Sequence, residues 1–479
     1  MTQMNGFMIV NGRKISQSNS INEIINPATE EIIGTVPLAD QYITDDAINA
    51  AHAAFPEWSH KSVKERAVLL HGAAKIIRDK AESIGKVLTL EHGKPLSEAI
   101  GEVKGAAEAI DYYAEEVKRV RGLNYWQDNK NMKSQSFYQP MGVVGIIAPF
   151  NYPLILAAYK LGPALASGNT VVVKSPSDTP LALGLMIECF IESGFLNGEV
   201  NLLNGNGNEV GKWFIENPLL QKISFTGSTT AGKKIMSMAG NYIKRLTLEL
   251  GGNSPVLVFA DADIDTAARE IVYRAFRNMG QVCNSINRVY VEEPVFQIFT
   301  DMLVAGARKM VIGDGLKDSN VEIGPMTSAD GHRRVEEHVK DALEKGAHLE
   351  CGGKRPDGFN KGYFYEPTVL THVNHDMKVM CEETFGPVAP VMTFSGVDEG
   401  IRLANDTIYG LVAYVYTHDL AKAIRVSENL QYGTVGVNNV TGGATGYPYS
   451  GWKQSGIGIE FSEDALFEYL NVKHVRIKL

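Results

Sequence analysis

The chain has 479 residues, more than one typical domain holds, so two or three domains are expected. Hydrophobic residues at 44% and charged residues at 21% describe a globular chain with a large core. Its 46 basic and 55 acidic side chains give a formal charge of -9, which argues against nucleic acid or an anionic membrane as partner.

Residues 8–35 read as short strands with turns, beginning with Met8-Ile9-Val10 before Asn11-Gly12. The apolar run at 7–10 is too short for the core of a signal peptide. From about 62 to 92 the pattern turns helical: Leu69, Leu70, Ala73, Ile76 and Ile77 follow one helix face, and Gly93-Lys94-Pro95 ends it. A second helical run extends from about 96 to 119. The stretch 139–159 carries no charge, but Pro149, Asn151 and Pro153 make it a buried strand, a loop and a helix start instead of a membrane span.

From 142 strands and helices alternate. Strands fall at 143–148, 170–173, 201–203, 223–225 and 246–248. Helices follow Pro153, span 181–191, begin near Gly207 and begin again near 229. Apolar strands separated by helices imply a parallel sheet covered on both faces, with ligands at the strands' carboxyl ends. A second α/β stretch begins near 255–258 and continues through helices at about 263–278 and 294–310. The last segment, 469–477, alternates like an edge strand and is expected to pair with a neighbouring subunit. Cys189, Cys283, Cys351 and Cys381 lie far apart, with neither metal-ligand spacing nor a disulfide framework. A reducing, cytoplasmic setting and no metal follow.

Four segments can carry chemistry. Cys283 lies on a turn between a helix and the strand-like run Arg288-Val289-Tyr290-Val291. There it can present its sulfur to a cleft, or pack as a small core residue. Glu249 ends an apolar strand before Gly251 and Gly252, where burial would make it a better base; facing solvent, it would be inert. Asn151 sits between Pro149 and Pro153, a rigid amide donor suited to an oxyanion, or simply part of a turn. Gly227-Ser228 opens a helix whose N–H groups can hold a phosphate, though the strict Gly-x-Gly-x-x-Gly pattern is missing. Lys174 ends an earlier strand and can reach a ribose or phosphate.

Together, in this order and spacing, these segments resemble the aldehyde dehydrogenase superfamily. Glu249 and Cys283 are 283 − 249 = 34 residues apart. Glu383-Thr384-Phe385-Gly386-Pro387, Asn405 before Tyr409-Gly410-Leu411, and Gly451-Trp452-Lys453-Gln454-Ser455-Gly456 extend the resemblance over nearly the whole chain. It implies Cys283 as nucleophile, Asn151 with the Cys283 N–H as oxyanion hole, and Glu249 as the base that activates water. Relatives that pass the acyl group to coenzyme A typically lack this glutamate, so hydrolysis is favoured. A catalytically silent binding or structural member would be expected to have lost Cys283 or Glu249, and both are present.

The resemblance also implies a cofactor cleft of Ile147, Pro149, Phe150, Lys174, Gly207, Gly227, Ser228, Glu383 and Phe385. Many NAD-using relatives carry a ribose-binding glutamate where this chain has Ser177. A serine tolerates a 2′-phosphate that a carboxylate repels, so NADP is expected to be preferred, with NAD accepted. Matching positions imply a substrate funnel of Tyr152, Leu156, Tyr159, Asn284 and Tyr449. Its hydroxyl and amide groups suit a small hydroxylated aldehyde such as glyceraldehyde or lactaldehyde. Succinic semialdehyde is the rival, opposed by Tyr159 and Ile459 where its close relatives place arginines.

The implied architecture is the α/β aldehyde dehydrogenase fold. A Rossmann-like dinucleotide domain takes 1–117 and 141–251, and an α/β catalytic domain takes 252–451. A small β oligomerisation element takes 118–140 and 452–479, giving a homotetramer built as a dimer of dimers.

Overall fold

The structure, a computed structural model, describes residues 4–479. Among these residues the strands form four sheets. The largest runs, edge to edge, Gly456–Ile457, Arg245–Glu249, Leu220–Thr226, Val143–Ile147, Thr170–Lys174, Val200–Leu203, Met8–Val10, Arg13–Ile15. The strands from Arg245–Glu249 to Val200–Leu203 are mutually parallel, and the outer ones are antiparallel.

Every residue of Val143–Ile147 and Thr170–Lys174 is buried, because both faces of this sheet are covered. Val144, Ile146, Val171 and Val173 pack into the core with helices Val63–Asp79, Leu96–Glu116, Pro153–Ala166 and Leu181–Glu192. Val143, Ile147 and Val172 turn the other way, towards Gln41–His60, Gly207–Glu216 and Thr229–Ala239. Side chains that alternate between two apolar layers read as an unbroken hydrophobic run.

Helix Gln41–His60 lies outside the expectations drawn from the sequence. Its buried stripe is mostly small and includes Ala47, Ile48 and Ala51, and Pro56 sits inside it. Asp40 caps it by accepting from Ile43 N at 2.9 Å. The helical run at 62–92 is two helices, Val63–Asp79 and Ala81–His92, parted at Lys80. Ser62 and Glu65 form a capping box on the first, and Gly93, at φ 95°, closes the second.

The second large sheet runs His348–Cys351, Thr368–Thr371, Val388–Phe394, Ile286–Glu292, Ser254–Val258, Val412–Tyr416, Thr434–Val437, all parallel except the first. A small sheet joins Met4–Asn5, Glu31–Pro37 and Ile21–Asn26. The last strand, Leu470–Lys478, was expected to seek a partner in another subunit. It finds one in its own chain, pairing along its whole length with Met132–Pro140, which also carries Leu123–Tyr125. Its other edge carries no strand among the described residues. The C-terminal stretch divides between sheets, since Gly456–Ile457 pairs with Leu248 and Glu249. Among the described residues no helix is long and apolar enough to cross a membrane.

Asn169 ties the first sheet to this C-terminal segment. Its fully buried amide donates to the carbonyls of Ala164 at 3.2 Å and Tyr469 at 2.9 Å. Its Oδ1 accepts from Met141 N at 2.7 Å and Gly142 N at 3.0 Å. Replacing it by alanine leaves these groups buried without their partner, at a cost of about 2–4 kcal/mol. Urea unfolding of Asn169→Ala is expected to show a lower midpoint with an unchanged slope. A midpoint equal to the parent's would remove Asn169 as the tie.

Candidate active site

Loops from both large sheets enclose a cleft of about 290 Å³. One wall follows the carboxyl ends of Val143–Ile147, Leu220–Thr226 and Arg245–Glu249: it carries Pro149, Phe150 and Asn151, then Thr226, Gly227 and Ser228, then Glu249, Leu250 and Gly251. The facing wall carries Cys283, Arg334, Glu383 and Phe385.

Helix Ile264–Phe276 stops seven residues before Cys283 (283 − 276 = 7), and the chain then turns sharply. Asn278, Met279 and Gly280 take left-handed φ values of 51°, 59° and 67°. Non-glycine residues adopt this conformation at a cost, and it persists where surrounding bonds hold it. Here Asn278 Nδ2 donates to the Gln281 carbonyl at 3.3 Å, and Gln281 Nε2 returns a bond to the Asn278 carbonyl at 3.2 Å. Thr327 N donates to Gln281 Oε1 at 3.1 Å. Only glycine fits at 280, because a Cβ there would lie 2.1 Å from the Gly386 carbonyl. Gly252 is constrained likewise, since its Cβ would meet the Cys283 carbonyl at 2.2 Å. The cysteine loop is thereby pressed against both neighbouring motifs.

Asn151 is 3% exposed. Its Nδ2 donates to the Gln281 carbonyl at 3.0 Å, which uses one of its two N–H bonds. Its own carbonyl accepts from Lys94 Nζ at 2.7 Å. Lys94 is in turn ion-paired to Glu102 at 2.6 Å, both side chains fully buried, and Glu102 accepts from Leu154 N at 2.9 Å. The flanking prolines are therefore only part of what sets this loop. Lys94 and Glu102 complete it, and no sequence pattern pointed to them.

Glu249 is 3% exposed, and neither carboxylate oxygen makes a hydrogen bond of full geometry, its polar neighbours being Cys283 and Thr226. Burial, then the nearby charge of Glu460, pushes its pKa up to about 7. Glu460 is itself paired with buried Lys160. Burial, then Glu249, also raises the Cys283 thiol, whose Sγ lies 3.6 Å from Tyr449 Oη. Glu383 accepts from Gly252 N at 2.9 Å, and burial raises it to about 7. The cleft thus places a thiol, a buried carboxylate and an amide donor on one small volume. Such a set can form and hydrolyse a covalent acyl bond.

The other end of the cleft fits a dinucleotide. Gly227 has no room for a side chain, since its Cβ would sit 2.4 Å from the Phe225 ring. Ser228 caps helix Thr229–Ala239 by accepting from Ala231 N at 3.2 Å, leaving a helix start beside open space. Phe150 and Phe385 meet edge to face at 5.8 Å and form an apolar wall. Lys174 and Gly207 lie together, with a Cβ on Gly207 3.9 Å from Lys174 Nζ, and burial lowers that lysine to about 8. Ile147 is buried beneath the wall. Ser177 is exposed in an adjoining groove with Asp178 and Asp330, its carbonyl accepting from Asn22 Nδ2 at 2.9 Å. Thr226, Leu250, Gly251 and Arg334 line the cleft without having been singled out from the sequence.

The tyrosine residues expected to form the funnel carry hydroxyls that each already have a partner in the protein. Tyr152 Oη donates to Glu98, and its ring packs under Lys94 Nζ at 3.8 Å. Tyr159 Oη meets Thr445 Oγ1 at 2.8 Å, and its ring stacks on Phe461. Tyr449 Oη accepts from Asn284 Nδ2 at 3.2 Å. Leu156 is buried and adds apolar surface. Tyr159 and Ile459 supply no cation, but two arginines from elsewhere in the chain lie near these residues. Arg274 lies behind Asn284, bonded to its Oδ1, and Arg277 pairs with Glu98 at 2.8 Å. A sequence signal for Arg274 existed: it falls on the stripe of Ala267 and Ile271, so helical spacing alone buries it.

Comparison with known proteins agrees with this geometry. The model of the "Aldehyde dehydrogenase family" matches residues 14–475. A mitochondrial succinate-semialdehyde dehydrogenase of Arabidopsis thaliana is 42% identical over 96% of this chain and 87% of its own. The NADP-dependent succinate-semialdehyde dehydrogenase GabD of Escherichia coli K12 is 40% identical over 98% of this chain and 97% of its own. Among solved structures, an E. coli NADP-dependent enzyme superposes with a TM-score of 0.97 at 40% identity, covering 99% of this chain and 98% of the other. The lactaldehyde dehydrogenase of Escherichia coli gives 0.96 at 36% identity, covering 99% of each. The chain belongs to the aldehyde dehydrogenase family, NAD(P)-dependent oxidoreductases that act on aldehydes.

Proposed function

We propose that this enzyme oxidises a short aldehyde with an anionic far end, succinic semialdehyde first, to its acid, using water as acyl acceptor and NADP in preference to NAD. The observation that carries the hydrolytic reading is Glu249: a buried carboxylate with no countercharge in direct contact, in the same cleft as Cys283. The named relatives, together with funnel tyrosines whose hydroxyls are already bonded, favour an anionic over a hydroxylated aldehyde. The structural likeness to a lactaldehyde dehydrogenase keeps the hydroxylated aldehyde as the second reading.

In this reading Cys283 releases its proton to solvent and its thiolate sulfur adds to the aldehyde carbon, whose oxygen takes the carbonyl electron pair. The oxyanion that forms accepts from the second N–H of Asn151 and from the Cys283 N–H. Phe150, Lys174, Gly227, Ser228, Glu383 and Phe385 hold the dinucleotide, whose nicotinamide supplies the hydride acceptor when bound. Loss of hydride from carbon leaves a thioester on Cys283. Glu249 then takes a proton from water, the hydroxide adds to the thioester, and the carbon–sulfur bond breaks to free the acid. Free thiols at all four cysteines agree with a cytoplasmic setting. Exposed Leu123, Tyr125, Val472 and Ile477 on the sheet built around Met132–Pro140, with Trp126 beside it, support a homotetramer.

Glu249→Gln is expected to release one equivalent of NADPH per active site in a burst and then stall, as read by stopped-flow absorbance. Steady turnover at the parent rate would assign the base elsewhere. Because Glu249 must be ionised to act, kcat should fall as pH drops through about 7, one decade per unit, and level off above it. A pH-rate profile with no acid limb near neutrality would contradict this role. For the cofactor, kcat/KM is expected to favour NADP by about tenfold, the size of one charge-assisted hydrogen bond, with Asp178 and Asp330 limiting the margin. Ser177→Glu should reverse the order, and a parent enzyme that favours NAD would overturn the NADP reading.

A further inference from the structure

We propose that His92 is a positioning residue that couples the cofactor wall to the oxyanion donor, an assignment that rests on the proposed roles of Phe150 and Asn151. His92 ends helix Ala81–His92 and is fully buried. Its ring lies nearly parallel to that of Phe150, with centroids 6.3 Å apart and planes at 22°. Phe150 lines the cleft and meets Phe385 edge to face. The imidazole is thus the back layer of a stack of rings whose other members line the cleft.

The polar edge of the same ring leads to the oxyanion side. Nε2 lies 3.2 Å from Thr327 Oγ1, and that hydroxyl lies 3.1 Å from the His92 carbonyl. A hydroxyl has one proton to give, and a carbonyl can only accept. The arrangement that uses both contacts has Oγ1 donating to the carbonyl and accepting from Nε2–H. Nδ1 then carries no proton, which agrees with its having no partner. Burial, then the Lys94 charge, holds the ring's pKa well below the ordinary histidine value and keeps it neutral. Thr327 N donates to Gln281 Oε1 at 3.1 Å, and the Gln281 carbonyl accepts from Asn151 Nδ2 at 3.0 Å. Thr327 and Gln281 are therefore all that separates the imidazole from the amide.

The segment around His92 is fixed on both sides. Glu91 accepts from Leu181 N at 2.7 Å and Ala182 N at 2.8 Å, which ties the helix end to the start of Leu181–Glu192. The Gly93 carbonyl would lie 1.9 Å from a Cβ on Gly324, so the loop that carries Thr327 is pressed against the helix end. Lys94 then holds the Asn151 carbonyl. Two other histidines are buried among the described residues. His332 packs on Tyr365 and His338 meets Thr384, and neither stacks on a ring of the cleft. An apolar ring would fill the space of His92, but only an imidazole packs on Phe150 and donates to Thr327 at once.

The test separates the two contacts. His92→Gln keeps a donor within reach of Thr327 and removes the ring. His92→Phe keeps the ring and removes the donor. Each is read as KM for NADP and as kcat, with succinic semialdehyde or lactaldehyde, whichever the parent turns over faster. His92→Gln is expected to raise KM for NADP by roughly 3- to 10-fold, the worth of one aromatic contact, with most of kcat kept. His92→Phe should lower kcat by roughly tenfold, with KM for NADP nearly unchanged. Thr327→Val leaves the ring in place, should follow His92→Phe, and keeps the test open if the histidine variants fold poorly. Losses of the same kind in both histidine variants, a reversed split, or no loss in either would overturn the assignment and leave His92 a packing element. Phe150→Ala and Asn151→Ala check the underlying roles. An unmoved KM for NADP in the first, or an unmoved kcat in the second, would overturn those roles themselves, and the assignment of His92 with them.

Discussion

The hydrogen bond from Asn151 Nδ2 to the Gln281 carbonyl joins the two large sheets beside the cleft that holds Cys283. Asn151 follows a strand of the first sheet, and Gln281 precedes a strand of the second. Lys94, paired with Glu102, clamps Asn151 from one side, and Asn278 and Thr327 clamp Gln281 from the other. Every partner here is buried, so a bond lost is not replaced by water. The distance between the amide donor and the sulfur is then a property of two sheets and not of one mobile loop. Reaction geometry tolerates little slack: a misplacement of about 1 Å can cost on the order of a hundredfold in rate.

The same dry packing sets the charges. Cys283, Glu249 and Glu383 are all acids in one small cleft, and burial raises each of them. Ionising all three together would place like charges in a poorly polarisable volume. Two carboxyls near 7 allow proton transfer at neutral pH with little change in total charge. The Lys160–Glu460 pair, buried behind Glu249, contributes both signs, and Glu460 is the stronger influence. The tyrosines near the cleft each meet a protein partner through the hydroxyl oxygen.

Much of this was legible in the chain. The parallel strands read as continuous apolar runs because both faces are covered. Val144 and Ile146 serve one layer, and Val143 and Ile147 serve the other. Cys283, Glu249 and Asn151 stood out because motifs at characteristic spacing surround them. Helix Gln41–His60 did not, since alanines such as Ala47 and Ala51 carry little hydrophobic signal and Pro56 reads as a break. The terminal strand was recognised as a strand, but its partner, Met132–Pro140, lies more than three hundred residues earlier (470 − 140 = 330), and alternation does not identify a partner.

Sequence by itself, through its resemblance to the aldehyde dehydrogenase superfamily, pointed to aldehyde oxidation and to the residues that meet in the cleft. Tertiary structure decided which polar groups remain free to do it. Three tyrosines in a funnel are three hydroxyls on paper, but Glu98, Thr445 and Asn284 had already engaged them. Glu249 was marked by its motif, but only folding buries it without a countercharge in direct contact. Hydrogen-bond capacity is consumed by neighbours distant in sequence, so what is left over for a substrate emerges only when the chain is folded.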